Sequence, residues 1–510
     1  MSASMPSASQ KQTSASIHSP GGSMKTLIEG GWVVAFNGTG HEVYENGSVV
    51  YENDRIVHAG GPYTGTVDLR LSARGKLVSP GFINTHVHTT GNGGDYMLHD
   101  MVKNTYRTAN YLSFAAPLKG KMGTPPPEAV AALRIYVFLH ALKHGSTTII
   151  DVGGQRGDWE GYVRLIETLG VRVYTSPPFR DRNTFTDAQG RIYYDTDTAA
   201  GQQGLETAVN FIRTYDGAAQ GRLRGMLNPA QVETCSEPLL RACKAAAHDL
   251  NVPVHTHAGG NLLEFQRIME EYSRTPVQFL ADIGFLDTRT LLGYGVFTTA
   301  HPWSHYPFGD DLCVLAETGA TVGHCPYKYA KMAIALHSFQ RYLNAGVHVA
   351  LGTDTFPMDM VAELRWASML AKITDQNYQI GQPRDVYNAA TLGACTFLGR
   401  DDLGRLAPGA KADMLLINLD HLGSAFYADP IKALVDFGCG RDVDTVIVDG
   451  KTLIQGGDVV HVDEAEVYAN AQQATHRFWS QIPTWHWGGC NLEEIVPPAF
   501  PIHRTSAAMR

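Results

Sequence analysis

The middle of the chain alternates apolar, strand-like runs with helical patterns, and this alternation limits the possible folds more than any other feature. Eight strand candidates occur, at residues 81–86, 147–152, 171–175, 223–227, 252–256, 291–297, 320–324 and 347–352. Helical patterns separate most of them, for example Pro127 to His144 and Cys235 to Leu250. Strands that alternate with helices usually pair in parallel. Eight such units predict an α/β chain with a (β/α)8 TIM-like barrel over residues 79–404.

The segments that flank this region have a different sequence pattern. Residues 24–78 and 405–461 contain short alternating runs punctuated by Gly, Asn and Asp, which is typical of small β-sheets. We predict that these two segments pair into one small β-sandwich domain. Residues 1–23 are rich in Ser, Ala, Gln and Pro and are predicted to be a disordered tail. Residues 462–510 are predicted to form a C-terminal helix and an irregular tail.

Composition excludes several classes of partner. The 510-residue chain has a net charge of −9 and no basic blocks, so neither nucleic acid nor an anionic membrane is expected to bind. No apolar run is long enough to span a bilayer. The seven cysteines are scattered and form no C-x-x-C pair, which argues against a disulfide framework and favours the cytoplasm. A small molecule is the expected partner.

Four residues at strand ends predict a metal site. His86 and His88 are two residues apart on a strand, so they share a face. His257 ends the fifth strand candidate and Asp354 follows the eighth. Three imidazoles and one carboxylate suit Zn²⁺, and also Co²⁺, Mn²⁺ or Fe²⁺. Such a metal lowers the pKa of a bound water towards about 7, and Asp354 would then act as general base.

Each residue also has a plainer interpretation. Asp354 could cap a helix N-terminus, His324 could be a buried core histidine, and His301 could lie on a loop surface. His255 is interpreted as a structural neighbour directed away from His257. A second metal usually needs a lysine at the end of strand 4, and residues 225–229 contain none. One divalent metal per chain is therefore predicted.

Several motifs together resemble the amidohydrolase superfamily, in particular its chlorohydrolase and aminohydrolase branch. They are Pro80-Gly81-Phe82-Ile83-Asn84-Thr85-His86-Val87-His88, Thr256-His257, His324-Cys325-Pro326, Gly352-Thr353-Asp354 and Asp402-Leu403-Gly404-Arg405. The resemblance extends from about Met24 to His461. It implies a mononuclear metal held by His86, His88, His257 and Asp354, with His324 near the substrate. It also implies a homo-oligomer.

The chain departs from that branch at two positions. Deaminases of the branch carry a proton-shuttling Glu three residues after the strand-5 histidine, where this chain has Gly260. They also carry a histidine at the end of strand 6, where this chain has Tyr294, with His301 as a possible replacement. Phenylurea- and thiocarbamate-type relatives lack that Glu as well.

These departures favour hydrolysis of a C–N bond in an amide, urea or carbamate. The alternatives are a deaminase or chlorohydrolase of an N-heterocycle, with Glu264 or Asp151 replacing the Glu, and a non-catalytic binding protein. The predicted catalytic residues are Asp354, His324 and His301. The predicted substrate contacts are Tyr294, His324, His301, Trp303 and Tyr96.

Overall fold

The computed structural model describes residues 24–90, 92–96, 117–153, 157–421, 423 and 426–503. The predicted tail, residues 1–23, lies outside these ranges. Among the helices of the described ranges, none combines the length and the apolar character that a membrane crossing requires.

The chain is α/β with parallel strands, as predicted. The strands, β1 to β19, are Lys25–Phe36, His41–Glu52, Arg55–Gly60, Leu69–Ser72, Lys76–Pro80, Phe82–Val87, Ser146–Asp151, Arg172–Thr175, Arg182–Thr186, Ile192–Thr196, Leu223–Gly225, Val254–Ala258, Thr290–Tyr294, Thr321–His324, His348–Leu351, Met414–Asn418, Val443–Val448, Lys451–Gln455 and Asp458–Val459.

Helices follow most of the parallel strands. Labelled α1 to α17, they are Asn92–Asp95, Pro127–Lys143, Trp159–Leu169, Thr198–Tyr215, Ala218–Gly221, Glu237–Leu250, Leu262–Tyr272, Pro276–Asp282, Asp311–Thr318, Pro326–Lys331, Phe339–Asn344, Met360–Thr374, Pro383–Thr391, Cys395–Leu398, Pro430–Phe437, Glu464–Trp485 and Leu492–Ile495.

A nine-stranded mixed sheet contains strands from both ends of the chain. Its order is β19-β18-β17-β16-β5-β1-β2-β3, and β4 pairs with β1. The two ends meet where β5 runs antiparallel to β16, with Ser79 opposite Leu415. This sheet packs its own apolar cluster, which includes Val49, Val78 and Met414.

Two four-stranded parallel sheets form the middle of the chain. Their orders are β11-β8-β7-β6 and β12-β13-β14-β15. Every residue of β6, β7 and β12 is buried, as expected for parallel strands covered on both faces. Single parallel bridges join the two sheets at each edge, Leu227 with Val254 and Val87 with Asp354.

The observed strands are shorter than predicted in places. The sixth strand was expected over 291–297 but ends at Tyr294, because Gly295 turns the chain with a φ of +61°. A hairpin of β9 and β10 follows the third parallel strand and was not predicted.

The last long helix, α16, packs beside α2. The Lys143 ammonium lies against the Glu464 carboxylate at 2.5 Å, and the rings of Tyr136 and Tyr468 are 6.3 Å apart. The Asp463 side chain caps the start of α16.

Candidate metal centre

Three predicted histidines form one tight imidazole cluster. His86 lies on β6 and His88 follows that strand, and their Nε2 atoms are 3.3 Å apart. His257, on β12, places its Nε2 3.3 Å from that of His88. One nitrogen from each ring lies within 4.8 Å of the others. Strand ends far apart in sequence thus place three ligand atoms around one point.

Asp354 joins the cluster from the segment that follows β15. Its Oδ1 is 3.3 Å from His86 Nε2 and 3.2 Å from His88 Nε2. Its backbone N–H donates to the carbonyl of His86 at 2.8 Å, which fixes its position against β6. The helix-cap interpretation of Asp354 is wrong, because Asp359 caps the next helix, α12, by accepting from the N–H of Ala362.

The spacing of these atoms fits a single metal ion. Zinc bonds to nitrogen and oxygen are about 2.0–2.2 Å long, so a tetrahedron of such bonds has edges of about 3.3–3.6 Å. Four of the six separations among these atoms are 3.2 or 3.3 Å. When all four atoms present lone pairs, they repel at this distance, and a cation between them removes the repulsion. The donor set therefore fits a divalent metal.

Hydrogen bonds behind His86 determine which of its nitrogens is free. Asn228 Nδ2 donates to the carbonyl of Val152 at 2.6 Å, so Asn228 Oδ1 is the atom that accepts from His255 Nδ1 at 3.3 Å. His255 Nε2 then carries no proton and accepts from His86 Nδ1 at 3.0 Å. A neutral imidazole has one N–H and one lone pair. The lone pair of His86 is therefore on Nε2 and faces the cluster.

The expectation that His255 points away from His257 is wrong. Residues i and i+2 of a strand share a face, and the two ring centroids are 5.3 Å apart. His255 stands behind His86, with 4.8 Å between ring centroids. His257 itself donates from Nδ1 to the carbonyl of Ala230, which leaves its Nε2 lone pair free.

Burial keeps the cluster ready to bind a cation. It lowers the pKa of His86 to about 4 and the pKa of His257 well below its usual value, so both rings are neutral at pH 7. Burial opposes the charge of Asp354, but the Lys328 ammonium beside it holds the pKa of that carboxyl well below its usual range. The His88 side chain is 32% exposed and opens the cluster to solvent.

His324 lies at the same sheet edge as the ligands. It ends β14, which pairs with β15, and it is almost completely buried. Burial lowers its pKa to about 3. Within the described ranges its Nδ1 has no hydrogen-bond partner. His324 is therefore a neutral imidazole with an unused polar atom, and its role in catalysis stays a prediction.

Three other predicted residues contact side chains outside the imidazole cluster. His301 and Trp303 lie beyond β13, and Trp303 N donates to His301 Nδ1 at 3.1 Å. The His301 ring also packs on Phe297, with 4.6 Å between centroids. Tyr96 is 43% exposed, and its ring lies 5.1 Å from that of Trp479 in α16. Their contact with a substrate stays a prediction.

Two further side chains hold Asp354, and sequence reasoning missed one of them. The Tyr294 hydroxyl donates to Asp354 Oδ1 at 3.1 Å. Lys328, on α10, places Nζ 2.9 Å from Asp354 Oδ2 and 3.6 Å from the centroid of the Tyr294 ring. The sequence feature that could have indicated Lys328 is its position four residues after His324, in the first turn of a helix that begins where β14 ends.

The loop after His257 leaves little space for a side chain at residue 260. A Cβ on Gly260 would lie 3.0 Å from the Tyr294 ring and 3.5 Å from Glu264 Oε2. Buried Glu264 accepts from the N–H of Gly260 at 3.0 Å. The Tyr329 hydroxyl donates to the carbonyl of Gly260 at 2.8 Å. Tyr294 thus fills the space in which a side chain at residue 260 would begin.

Comparisons with known proteins agree on one family. The sequence model of the amidohydrolase family matches residues 77–453. The 5-methylthioadenosine/S-adenosylhomocysteine deaminase of Halobacterium salinarum is 30% identical over 434 residues, which cover 84% of this chain and 93% of that protein. The 5'-deoxyadenosine deaminase of Methanosarcina mazei is 27% identical over 468 residues, which cover 89% and 99%.

Solved structures share the fold over nearly the same length. An adenosine deaminase from Xanthomonas campestris with bound zinc has a TM-score of 0.74 at 20% identity, covering 90% of this chain and 99% of that one. The atrazine chlorohydrolase of Arthrobacter aurescens, complexed with zinc, also has a TM-score of 0.74, at 22% identity and 88% and 100% coverage. At these identities the likeness concerns the fold.

Proposed function

The chain belongs to the amidohydrolase family, and from that premise we propose that it is a mononuclear metal-dependent hydrolase of a small organic substrate. The bond cleaved is the C–N bond of an amide, a urea or a carbamate. His86, His88, His257 and Asp354 would hold the metal, which is zinc in the first place, with cobalt, manganese or iron as alternatives.

One combination of features carries this proposal. The four-residue donor set has the spacing of a metal site, yet the position of the deaminase carboxylate is Gly260, packed against the Tyr294 ring. Hydrolysis at a carbonyl carbon needs the metal and a base but no carboxylate that protonates a ring nitrogen. The site offers a donor set for the metal and a carboxylate for the base, and it has glycine where the ring-protonating carboxylate would stand.

A single metal is supported by the surroundings of the cluster. The segment after β11 reads Met226-Leu227-Asn228-Pro229 and offers no lysine for a bridging carbamate. In the described part of the chain, His86, His88 and His257 are the one group of three ligand residues of this kind.

The proposed reaction balances as the hydrolysis of an acyl–nitrogen bond. Water oxygen adds to the carbonyl carbon while the C=O π pair moves to oxygen, and the C–N bond then breaks with its electron pair on nitrogen. A bound divalent metal supplies the Lewis acidity that lets water ionise near neutral pH. Asp354 accepts the water proton and returns it to the leaving nitrogen. Oδ1 faces the imidazoles and Tyr294, and Oδ2 faces the Lys328 ammonium at 2.9 Å, so these groups orient the carboxylate that would accept the proton.

We also propose the finer architecture that was expected from the sequence. Closure of the two parallel sheets into a (β/α)8 barrel over residues 79–404 is supported by the bridges Leu227–Val254 and Val87–Asp354 at both sheet edges. A small β-sandwich of residues 24–78 and 405–461 is supported by the mixed sheet that both segments share. Residues 462–510 would then form the C-terminal helix and tail.

A second candidate function is deamination or dechlorination of an N-heterocycle, such as a purine nucleoside or a triazine. The names of the similar proteins favour it. Against it, both carboxylates that were weighed as substitutes have other partners. Glu264 accepts backbone N–H groups, and Asp151 accepts from Thr89 Oγ1 and the Tyr162 hydroxyl. A non-catalytic binding protein is also disfavoured, because His86, His88, His257 and Asp354 are all present and lie close together.

A cytoplasmic location and a homo-oligomeric state remain proposals. Support for the first is that all seven cysteines are unpaired, which is typical of a reducing compartment. The second rests on the family resemblance alone.

The deciding experiment measures metal content and product release together. Chelator-rinsed protein is reloaded with zinc and assayed for amine release from anilides, phenylureas and phenylcarbamates. The same protein is assayed for ammonia or chloride release from adenosine, 5'-methylthioadenosine and chlorotriazines. We expect about one metal per chain and turnover in the first group. Turnover confined to the second group would establish the second candidate instead.

Asp354→Asn tests the assigned base. The amide keeps the shape of the side chain but cannot accept the water proton, so kcat should fall about 10²–10⁴-fold. Circular dichroism and the unfolding midpoint should stay close to those of the wild type. An Asn variant with nearly full activity would remove Asp354 from the mechanism.

A further inference from the structure

We propose that Lys328 is a catalytic residue whose ammonium donates a hydrogen bond to the carbonyl oxygen of the substrate. The proposal rests on the proposed function and adds to it the group that stabilises the oxygen as it gains negative charge. It also makes Lys328 a determinant of substrate class, favouring carbonyl compounds over N-heterocycles.

The fold places Lys328 beside the proposed metal ligands. Helix α10 begins at Pro326, directly after β14, so its first turn lies at the sheet edge that carries the metal ligands. The N–H of Tyr327 donates to buried Glu363 at 3.0 Å, which anchors this turn to α12. The Lys328 side chain is 12% exposed, and its Nζ lies 2.9 Å from Asp354 Oδ2.

The ammonium has donors to spare. A lysine ammonium carries three N–H groups, and in the described ranges its one ion-pair partner is Asp354. Two aromatic rings confine Nζ, at 3.6 Å from the centroid of Tyr294 and 4.6 Å from that of Tyr329. Lys328 therefore holds a fixed position beside Asp354, and among the described residues no other acceptor takes its remaining N–H groups, which can serve a ligand oxygen.

The charge of this part of the site is the reverse of what a ring deamination requires. Gly260 brings no carboxylate, and the Tyr294 ring that fills the space carries the Lys328 ammonium on its face. A fixed cation stabilises an oxygen that becomes negative, and it repels a ring nitrogen that must become protonated. Removing one such donor typically costs about 10²–10³ in kcat.

Lys328→Met removes the ammonium but keeps an unbranched side chain of similar length. With the carbonyl substrate that the wild type hydrolyses, we expect kcat to fall about 100-fold, KM to change less than threefold and one metal per chain to remain. Lys328→Arg, which keeps a cationic donor, should recover at least a tenth of the lost rate. Retention of kcat within threefold in Lys328→Met would overturn the proposal.

Lys331→Met is the matched control. Lys331 lies one turn further along α10 and is also partly buried, but its Nζ donates to Thr355 Oγ1 at 3.1 Å and to the carbonyl of Phe356 at 3.2 Å. Loss of this ammonium should leave kcat within a fewfold of the wild-type value. An equal loss of kcat in both variants would assign the effect to the packing of α10 and overturn a specific role for Lys328.

A binding measurement separates this proposal from the proposed function. Phenylphosphonate, a tetrahedral oxyanion, is titrated calorimetrically into the zinc-loaded wild type, Lys328→Met and Lys331→Met. We expect Lys328→Met to bind at least tenfold more weakly than the other two, whether or not any carbonyl compound is hydrolysed. Equal affinity in all three proteins, or no binding by the wild type, would overturn the role of Lys328. Absence of carbonyl turnover alone would overturn only the proposed function.

Discussion

At the scale of single residues, the side-chain amide of Asn228 determines which ring nitrogen of His86 carries the proton, although two hydrogen bonds separate them. Asn228 fixes the proton of His255, and His255 in turn fixes the proton of His86. Partners of this kind orient metal-binding imidazoles, and their loss typically lowers metal affinity about 10–100-fold.

His255→Leu should therefore weaken metal binding by about 10–100-fold, because His86 Nδ1–H loses its acceptor. The measurement is competition for zinc with a chromophoric chelator. Thr256→Val is the control on the same strand, since its buried Oγ1 has no hydrogen-bond partner among the described residues and the substitution conserves shape. A His255 variant with the zinc affinity of the control would show that His86 needs no such support.

The sequence predicted which residues would meet at the candidate metal centre but missed Lys328 and the contact of His255 with His86, for a physical reason. His86, His88, His257 and Asp354 each follow an apolar run, and the ends of neighbouring parallel strands converge. Lys328 lies on a helix turn, and its direction depends on how α10 packs against Tyr294. The His255 contact crosses from β12 to β6, and no local pattern specifies that distance.

At the scale of elements, one buried charge cluster ties a parallel strand to the mixed sheet. Arg172 begins β8, Asp413 precedes β16 and Asp449 follows β17. The Arg172 guanidinium is 1% exposed and lies 2.7 Å from Asp449 Oδ1 and 3.0 Å from Asp413 Oδ2. A buried pair of this kind strongly penalises the loss of one partner, because the other charges stay buried.

Arg172→Met should lower the free energy of unfolding by about 3–5 kcal/mol, since the buried carboxylate of Asp413 loses its cation, whereas Asp449 keeps Lys411 at 3.0 Å. Urea unfolding followed by circular dichroism measures the change. Arg70→Met is the control, because Arg70 and Glu29 form an exposed pair and such pairs contribute about 0–1 kcal/mol. A loss below 1 kcal/mol in Arg172→Met would mean that the two sheets are held together without this cluster.

At the scale of the whole molecule, buried neutral histidines make stability depend on acidity. Burial, with a contribution from Arg405, lowers the pKa of His41 to about 4, and the ring lies between Phe36 and Tyr387. The unfolded chain binds this proton near pH 6.5, so it holds more protons than the folded chain between about pH 4 and 6.5. The contribution of His41 is therefore complete above about pH 6.5 and is lost as the pH falls towards 4.

His41→Gln should reduce the loss of stability between pH 7.5 and pH 5.0 by up to about 2 kcal/mol, because the glutamine takes up no proton on unfolding. Urea unfolding at the two pH values gives this difference. His348→Gln, which replaces an exposed histidine at the start of β15, should leave the wild-type loss unchanged. An unchanged loss in His41→Gln would show that the folded protein admits the proton.

The pairing of β5 with β16 also has a consequence for synthesis. The partner of Ser79 is Leu415, so at about 5–20 residues per second the ribosome delivers the second strand roughly 17–70 s after the first. During this interval β5 can pair with β1 on one side, while its other edge stays open. Open strand edges pair readily with other chains. The nascent chain is therefore most exposed to aggregation before its last strands emerge, and slower elongation lengthens that period.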